Sequence, residues 1–192
     1  MKNAQAIPVY IKPKLIPFLV KEFYGTEARY LNKQVKAIDI DISTPLGSFI
    51  RLQMDKLDYP VKDISKFNMF LKIKDVETAH FGRLYSYTKG QNNFLHLPKH
   101  AVDHINDYLE CVFQTALFNF LDAWHYCGML TKAEGISIIE GIFHFMEKYE
   151  LMEQDFNPES IRRQYYRWKN NSHSLKKFHV KFTKNPKSYV TT

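Results

Sequence analysis

Apolar residues along this chain follow two different periods, and the change from one to the other falls near Leu97. Before it, side chains alternate in steps of two, as on a strand with one buried face. After it they recur every three or four residues, as on a helix. Val35 to Ser43 sets Ile38, Ile40 and Ile42 against Ala37, Asp39 and Asp41. That alternation predicts a half-buried strand, and the TPLG stretch that follows predicts a hairpin with Ser48 to Met54. Ile7 to Lys12 is a further short strand, confined to a sheet edge by Pro8, which has no N–H to give a neighbour. Phe67 to Lys74 and Arg83 to Tyr87 complete a small antiparallel or mixed sheet. One helix belongs to this part. Pro13 opens KLIPFLVKEFYG, with Leu15, Ile16, Leu19 and Phe23 on one face, Pro17 early enough to be tolerated, and Gly25 placed to end it.

From Pro98 the apolar positions Val102, Ile105, Leu109, Val112, Phe113, Ala116, Leu117, Phe120, Leu121 and Trp124 make one wide helical stripe, ended by Cys127-Gly128. A helix of about seven turns is longer than most in globular proteins and is expected as a spine or a dimerisation element. Thr131-Lys132-Ala133-Glu134 has the form of a capping box for a second helix, with Ile138, Ile139, Ile142, Phe145, Met146 and Tyr149 as its apolar face. Asn157-Pro158 then joins a favoured capping residue to a proline at the first helical position. The helix it starts, PESIRRQYYRWKNN, stops around Asn170-Asn171. Phe178, Val180 and Phe182 alternate as in a strand, TKNPK offers a turn, and Ser188 to Thr192 is β-prone. Helix, turn, basic helix and basic hairpin is the order of a winged helix-turn-helix, a likeness of architecture without a family motif. The expected fold is therefore α+β: a small N-terminal sheet with one helix (residues 1–95), then a helical part (residues 96–192) of a long central helix and a helix-turn-helix with a β wing.

Charge changes the picture more than composition does. A chain of 192 residues with 45% hydrophobic and 15% aromatic content has ample material for a core. Its net +7 is unevenly spread: residues 1–99 carry +7, residues 100–159 carry −9, and Ser160 to Thr192 carry nine Lys or Arg without one Asp or Glu. Such asymmetry points to an interaction surface at one end, or to oppositely charged blocks that meet. Cys111 to Thr131 holds a single charge, Asp122. Gln114, Thr115, Asn119 and His125 give that stretch a polar edge, so it reads as a buried core helix and not a membrane span. Two cysteines are too few for a disulfide scaffold, and the N-terminus lacks the apolar run of a secretory signal, which together predict a cytoplasmic protein.

On the terminal helix, Ile161, Tyr165 and Trp168 recur at i, i+4 and i+7 and would dock it. Arg163, Arg167 and Asn170 repeat that spacing on the opposite side, with Arg162, Gln164, Tyr166 and Lys169 beside them. Arg pairs with guanine or phosphate, Asn and Gln with adenine, Lys and Tyr with phosphate. The residues expected to contact nucleic acid are thus Arg162, Arg163, Gln164, Tyr166, Arg167, Lys169 and Asn170, joined by Lys176, Lys177, Lys181, Lys184 and Lys187 of the tail. Duplex DNA is the leading partner, with RNA as the variant, for a regulator or replication accessory factor. The competing expectation is an assembly protein whose acidic and basic blocks mediate subunit contacts, with the long helix joining a homo-oligomer.

Three constellations could carry chemistry, and each has a plainer reading. His96, His100 and His104 repeat every four residues, but Leu97-Pro98 places His96 before the helix and no Glu stands between them as in a metalloprotease motif. Asp39 and Asp41 share one side of a strand, as the carboxylates of a metal-dependent nuclease would, or as the solvent face of any amphipathic strand does. His125 and Cys127 sit in the aromatic sequence DAWHYCGM, which predicts burial and packing rather than a reactive thiolate. No Gly-rich phosphate loop and no nucleophile elbow is present. The expectation is a protein that is not an enzyme and needs no cofactor or metal.

Overall fold

A computed structural model describes residues 4–31, 33–41, 43–74, 77–80, 83–86, 94–131, 137–152 and 156–170. Among these residues, eight strands and five α-helices follow one another in a mixed α+β order. They are β1 (Ala4–Val9), α1 (Ile16–Glu22), β2 (Thr26–Tyr30), β3 (Lys33–Ile40), α2 (Pro45–Gln53), β4 (Asp55–Leu57), β5 (Met69–Lys74), β6 (Glu77–His80), β7 (Arg83–Ser86), β8 (Phe94–His96), α3 (Lys99–Thr131), α4 (Ile138–Lys148) and α5 (Pro158–Asn170). The chain divides into two compact units, Met1–Leu109 and Glu110–Thr192, so the division falls inside α3.

The first unit is built on a four-stranded sheet in the order β1-β5-β3-β2. β1 runs antiparallel to β5, β2 antiparallel to β3, and β3 parallel to β5, which makes the sheet mixed. Pro8 lies on β1, an outer strand, as its missing N–H requires. Register puts Ile7, Val9, Ile38, Ile40, Leu71 and Ile73 on one face, all buried. Removing each such side chain from water contributes roughly 1.5–3 kcal/mol. The other face carries a smaller cluster, Ala6, Tyr30, Ala37 and Phe70, on which Ala28, Val35 and Ile64 pack. Beside that cluster, Lys72 and Asp39 are register partners and form an ion pair at 3.2 Å. Buried helical residues of this unit include Phe18 and Leu19 of α1, Leu46 and Ile50 of α2, and Ala101, Ile105 and Asn106 of α3.

Several boundaries differ from those expected. Ser48 to Met54 does not pair with β3; Pro45–Gln53 is α2. Thr44 caps it by accepting the Gly47 N–H at 3.1 Å, and Pro45 takes the first helical position. Leu46 and Ile50 are buried one turn apart while Leu52 is 75% exposed, the spacing of a buried helix face and not of a strand. The partner of β3 is instead β2, which turns back through Leu31 at φ 46°. Arg83 to Ser86 stands apart from the main sheet, as β7 of a two-stranded β6-β7 hairpin; β4 and β8 form a second pair. Gly25 does follow α1, but the left-handed residue there is Tyr24, at φ 49°. Gly25 avoids a close contact: a Cβ there would stand 2.7 Å from Val20 Cγ1, and Val20 would have to shift.

In the second unit, three helices share an aromatic core. Phe113 and Phe120 of α3 lie 5.9 Å and 5.5 Å from Phe145 of α4, and Phe118 lies 6.2 Å from Tyr165 and 5.6 Å from Trp168 of α5. α3 passes Cys127-Gly128 and runs to Thr131, because one glycine costs only about 1 kcal/mol in a helix. Thr131 thus belongs to α3, and Lys132-Ala133-Glu134 lie outside the described residues. The capping box belongs to Ser137 and Glu140, where the serine oxygen accepts the Ile139 N–H at 3.1 Å. Gly141 lets α4 approach α3 closely, since a Cβ there would meet Trp124 Cδ1 at 2.8 Å. α4 ends with Glu150 in the left-handed region (φ 55°), and the Leu151 N–H donates to the Met146 carbonyl at 2.8 Å, the geometry of a Schellman cap. No helix among the described residues is long and apolar enough to cross a membrane.

Candidate nucleic-acid interface

α5 begins where Asn157-Pro158 predicts. The Asn157 side-chain oxygen accepts the N–H groups of Glu159 at 3.0 Å and Ser160 at 3.2 Å, satisfying two otherwise orphaned donors. Glu159 lies in the first turn, where the helix dipole favours a carboxylate, and pairs with Arg162 at 2.7 Å. The inward face is apolar: Ile161 and Tyr165 are buried and Trp168 is half-buried. The Tyr165 hydroxyl donates to Asp122 Oδ1 of α3 at 3.1 Å. Burial foremost, and then that carboxylate, hold the Tyr165 phenol well above its ordinary pKa, so it stays a neutral donor.

The outward face is polar. Arg163, Gln164, Tyr166, Arg167, Lys169 and Asn170 are all exposed. Among the described residues, the ion pairs that reach α5 are Arg162 with Glu159 and Lys169 with Asp122, the latter at 3.8 Å. Arg163 and Arg167 have no ion-pair partner among the described residues. Among the described residues, the acidic block thus engages one edge of the helix through Asp122, and the outer arginines are exposed. Arg162 differs from its neighbours, being half-buried and held along its own helix. Lys176, Lys177, Lys181, Lys184 and Lys187, together with the expected wing, lie outside the described residues.

No protein-family model, curated protein or solved structure matches the chain.

α4 and α5 are consecutive, packed helices, but nine residues separate Lys148 from Pro158. A helix-turn-helix uses three or four, so the connection is longer than that motif requires. The other candidate groups disperse. His96 is on β8, while His100 and His104 are exposed on α3 with ring centroids 6.4 Å apart. Among the described residues, no three His, Cys, Asp or Glu side chains come together as a metal site. Asp39 is held by Lys72, and Asp41 lies beyond β3, where its Oδ1 accepts the Ser43 N–H at 2.9 Å and the Ser43 hydroxyl at 2.6 Å. The two carboxylates are therefore not a pair on one strand. Cys127 is exposed, contrary to the burial expected from its aromatic neighbours, and His125 is half-buried. The residue that sequence reasoning missed is Asp122. Its signal was visible as the one charge in the stretch Cys111 to Thr131, but nothing local indicates that it meets Tyr165, 43 positions on.

Proposed function

We propose that the chain binds nucleic acid, with duplex DNA as the leading partner, through the outward face of α5. The observation that carries this reading is a firmly docked helix presenting exposed Arg163, Gln164, Arg167 and Asn170, with the two arginines unpaired among the described residues. A helix already ordered by its apolar face adds little ordering cost on binding. Its planar guanidinium groups suit phosphate or guanine edges, and the amides of Gln164 and Asn170 suit adenine. Tyr165 and Trp168 face inward and serve the core; Tyr166, 44% exposed, is the ring of this helix most available to a ligand. Phosphate and groove contact therefore fits α5 better than base stacking on an aromatic platform. The assembly reading has narrower support, since one of the block-to-block pairs it invokes, Lys169 with Asp122, closes within the chain.

A mobility-shift titration against salt tests the proposal. Wild-type protein should bind a DNA duplex at low salt, with log affinity falling linearly as log salt rises. The combined change Arg163→Ala, Arg167→Ala, Lys169→Ala should weaken binding at least tenfold and flatten that slope by about 2–3, the loss of up to three phosphate contacts. Undetectable wild-type binding at low salt, or a triple variant indistinguishable from wild type, would sink it.

A further inference from the structure

Asp122 stands on α3 where an uncharged acceptor would also satisfy the Tyr165 hydroxyl of α5. Its Oδ1 accepts the Tyr165 hydroxyl at 3.1 Å and lies 3.8 Å from Lys169 Nζ. The first contact needs an acceptor and no charge. Docking of the helix does not depend on the second, since Ile161, Tyr165 and Trp168 already hold it through buried surface and ring contacts with Phe118. The charge of Asp122 therefore acts on Lys169. Both side chains are open to solvent, 53% and 40% exposed respectively, so a phosphate can reach the ammonium that the carboxylate holds. In the unbound protein that ammonium also sits 5.8 Å from the centroid of the Tyr165 ring, towards the inward side of the helix. A lysine has a flexible four-carbon stem and can move to a phosphate without any change in the backbone.

We propose that Asp122 competes with the nucleic-acid phosphate for Lys169 and so sets the strength of sequence-independent attraction at α5. This rests on the reading of α5 as the contact helix. The carboxylate and a phosphate oxygen cannot both hold the one ammonium at full strength, and at a solvent-exposed site their attractions are comparable. Asp122 thus tunes binding and does not block it. Arg163 and Arg167 are untouched by this competition. The effect is to lower the affinity that any duplex enjoys while leaving Gln164 and Asn170, whose amides suit base edges, at full strength, which raises the ratio of specific to non-specific binding.

Asp122→Asn tests this with little disturbance, because the amide oxygen can still accept the Tyr165 hydroxyl. Titrated with a DNA duplex of arbitrary sequence, this variant should bind about two- to fivefold tighter than wild type. Its salt slope should be steeper by up to about 0.9, one additional phosphate contact. The same substitution made in a Lys169→Met background should give no gain, and Tyr165→Phe alone should give none either. Unchanged affinity in Asp122→Asn overturns the inference. So does a gain that persists without Lys169, which would be a field effect of the lost charge, and so does an equal gain in Tyr165→Phe, which would be loosening of the helix. If Asp122→Asn fails to fold, Lys169→Met and Arg167→Met decide: removing the paired lysine should cost less affinity than removing the unpaired arginine, and equal losses overturn the inference. Absence of binding by wild-type protein is a separate result, which removes the proposed function and this inference together.

Discussion

Asn106 and Asp122 lie on the same helix, and each fastens another stretch of chain to it by opposite means. Asn106 is 4% exposed and uncharged. Its amide oxygen accepts the Lys12 N–H at 2.8 Å, and its amide nitrogen donates to the carbonyls of Tyr10 at 2.8 Å and Val102 at 2.9 Å. Asp122 is an exposed carboxylate that meets one hydroxyl and one ammonium. The buried amide removes polar groups from water and must satisfy them, so it is costly to disturb and indifferent to ions. The exposed carboxylate gains little from its ion pair, but what it gains can be altered by salt or by a competing anion. A fixed joint belongs in the first setting and an adjustable one in the second. The helix proposed to touch nucleic acid is held by apolar rings and merely trimmed by charge.

The largest effect expected from this contrast is at Asn106. Asn106→Leu keeps the branched shape of the side chain and raises helix propensity while stranding the Lys12 N–H and the Tyr10 carbonyl beside it. Each buried group left unsatisfied costs about 1–3 kcal/mol, and both bonds are part-buried, so urea unfolding should show a loss of about 2–4 kcal/mol, below the full cost of two buried groups. The loss should be the same at low and high salt. A deficit below about 1 kcal/mol, or one that salt abolishes, would break the contrast on its buried side.

A smaller effect is expected at the point where the two kinds of contact meet. Tyr165 is buried like Asn106 yet bonds the exposed Asp122. Tyr165→Phe keeps the ring and removes one hydrogen bond to a charged acceptor, worth about 1.5–3 kcal/mol where desolvated and less where Asp122 is wet. The hydroxyl also predicts a pH dependence. Its folded-state pKa is raised above the ordinary value of 10.0, so the folded state retains a proton that the unfolded chain gives up. The stabilisation is therefore complete below about pH 10 and declines as pH rises from there towards the folded value. Unfolding measured on both sides of pH 10 should show a steeper alkaline loss for wild type than for Tyr165→Phe. Parallel curves would show that the hydroxyl does not couple to folding.

Local physics explains what could be read in advance. The α+β order, the outer position of β1, the long helix and the cap of α5 all follow from neighbours within four or five residues: Pro8 without its N–H, the stripe from Val102, and Asn157 beside Pro158. Thr44-Pro45 carries the same start signal as Asn157-Pro158, yet Ile50 and Leu52 mimic a strand, and only burial reveals that Leu52 is exposed. Which strands pair was not legible. The partnership of β3 with β2 rests on a turn with a left-handed Leu31, and leucine is not a residue that announces one. The candidate contact face was legible because its spacing is a property of one helix. Its restraint was not, because Asp122 and Lys169 are brought together by the packing of two helices.

The smallest effect sharpens the contrast most. Lys169→Met removes the ion pair while keeping a long apolar stem against the Tyr165 ring. An exposed pair at 3.8 Å is worth about 0–1 kcal/mol, because two mobile side chains lose freedom to make it and water screens the charges. Stability measured by urea unfolding should therefore fall by less than 1 kcal/mol at low salt. That difference should vanish as the screening length shrinks to a few ångströms at high salt. The opposite pattern, a large loss that salt leaves intact, would mean that Lys169 holds α5 in place as Asn106 holds the chain around Tyr10. A lysine bound that firmly could not be released to a phosphate, and Asp122 would then be a structural joint and not a setting for affinity.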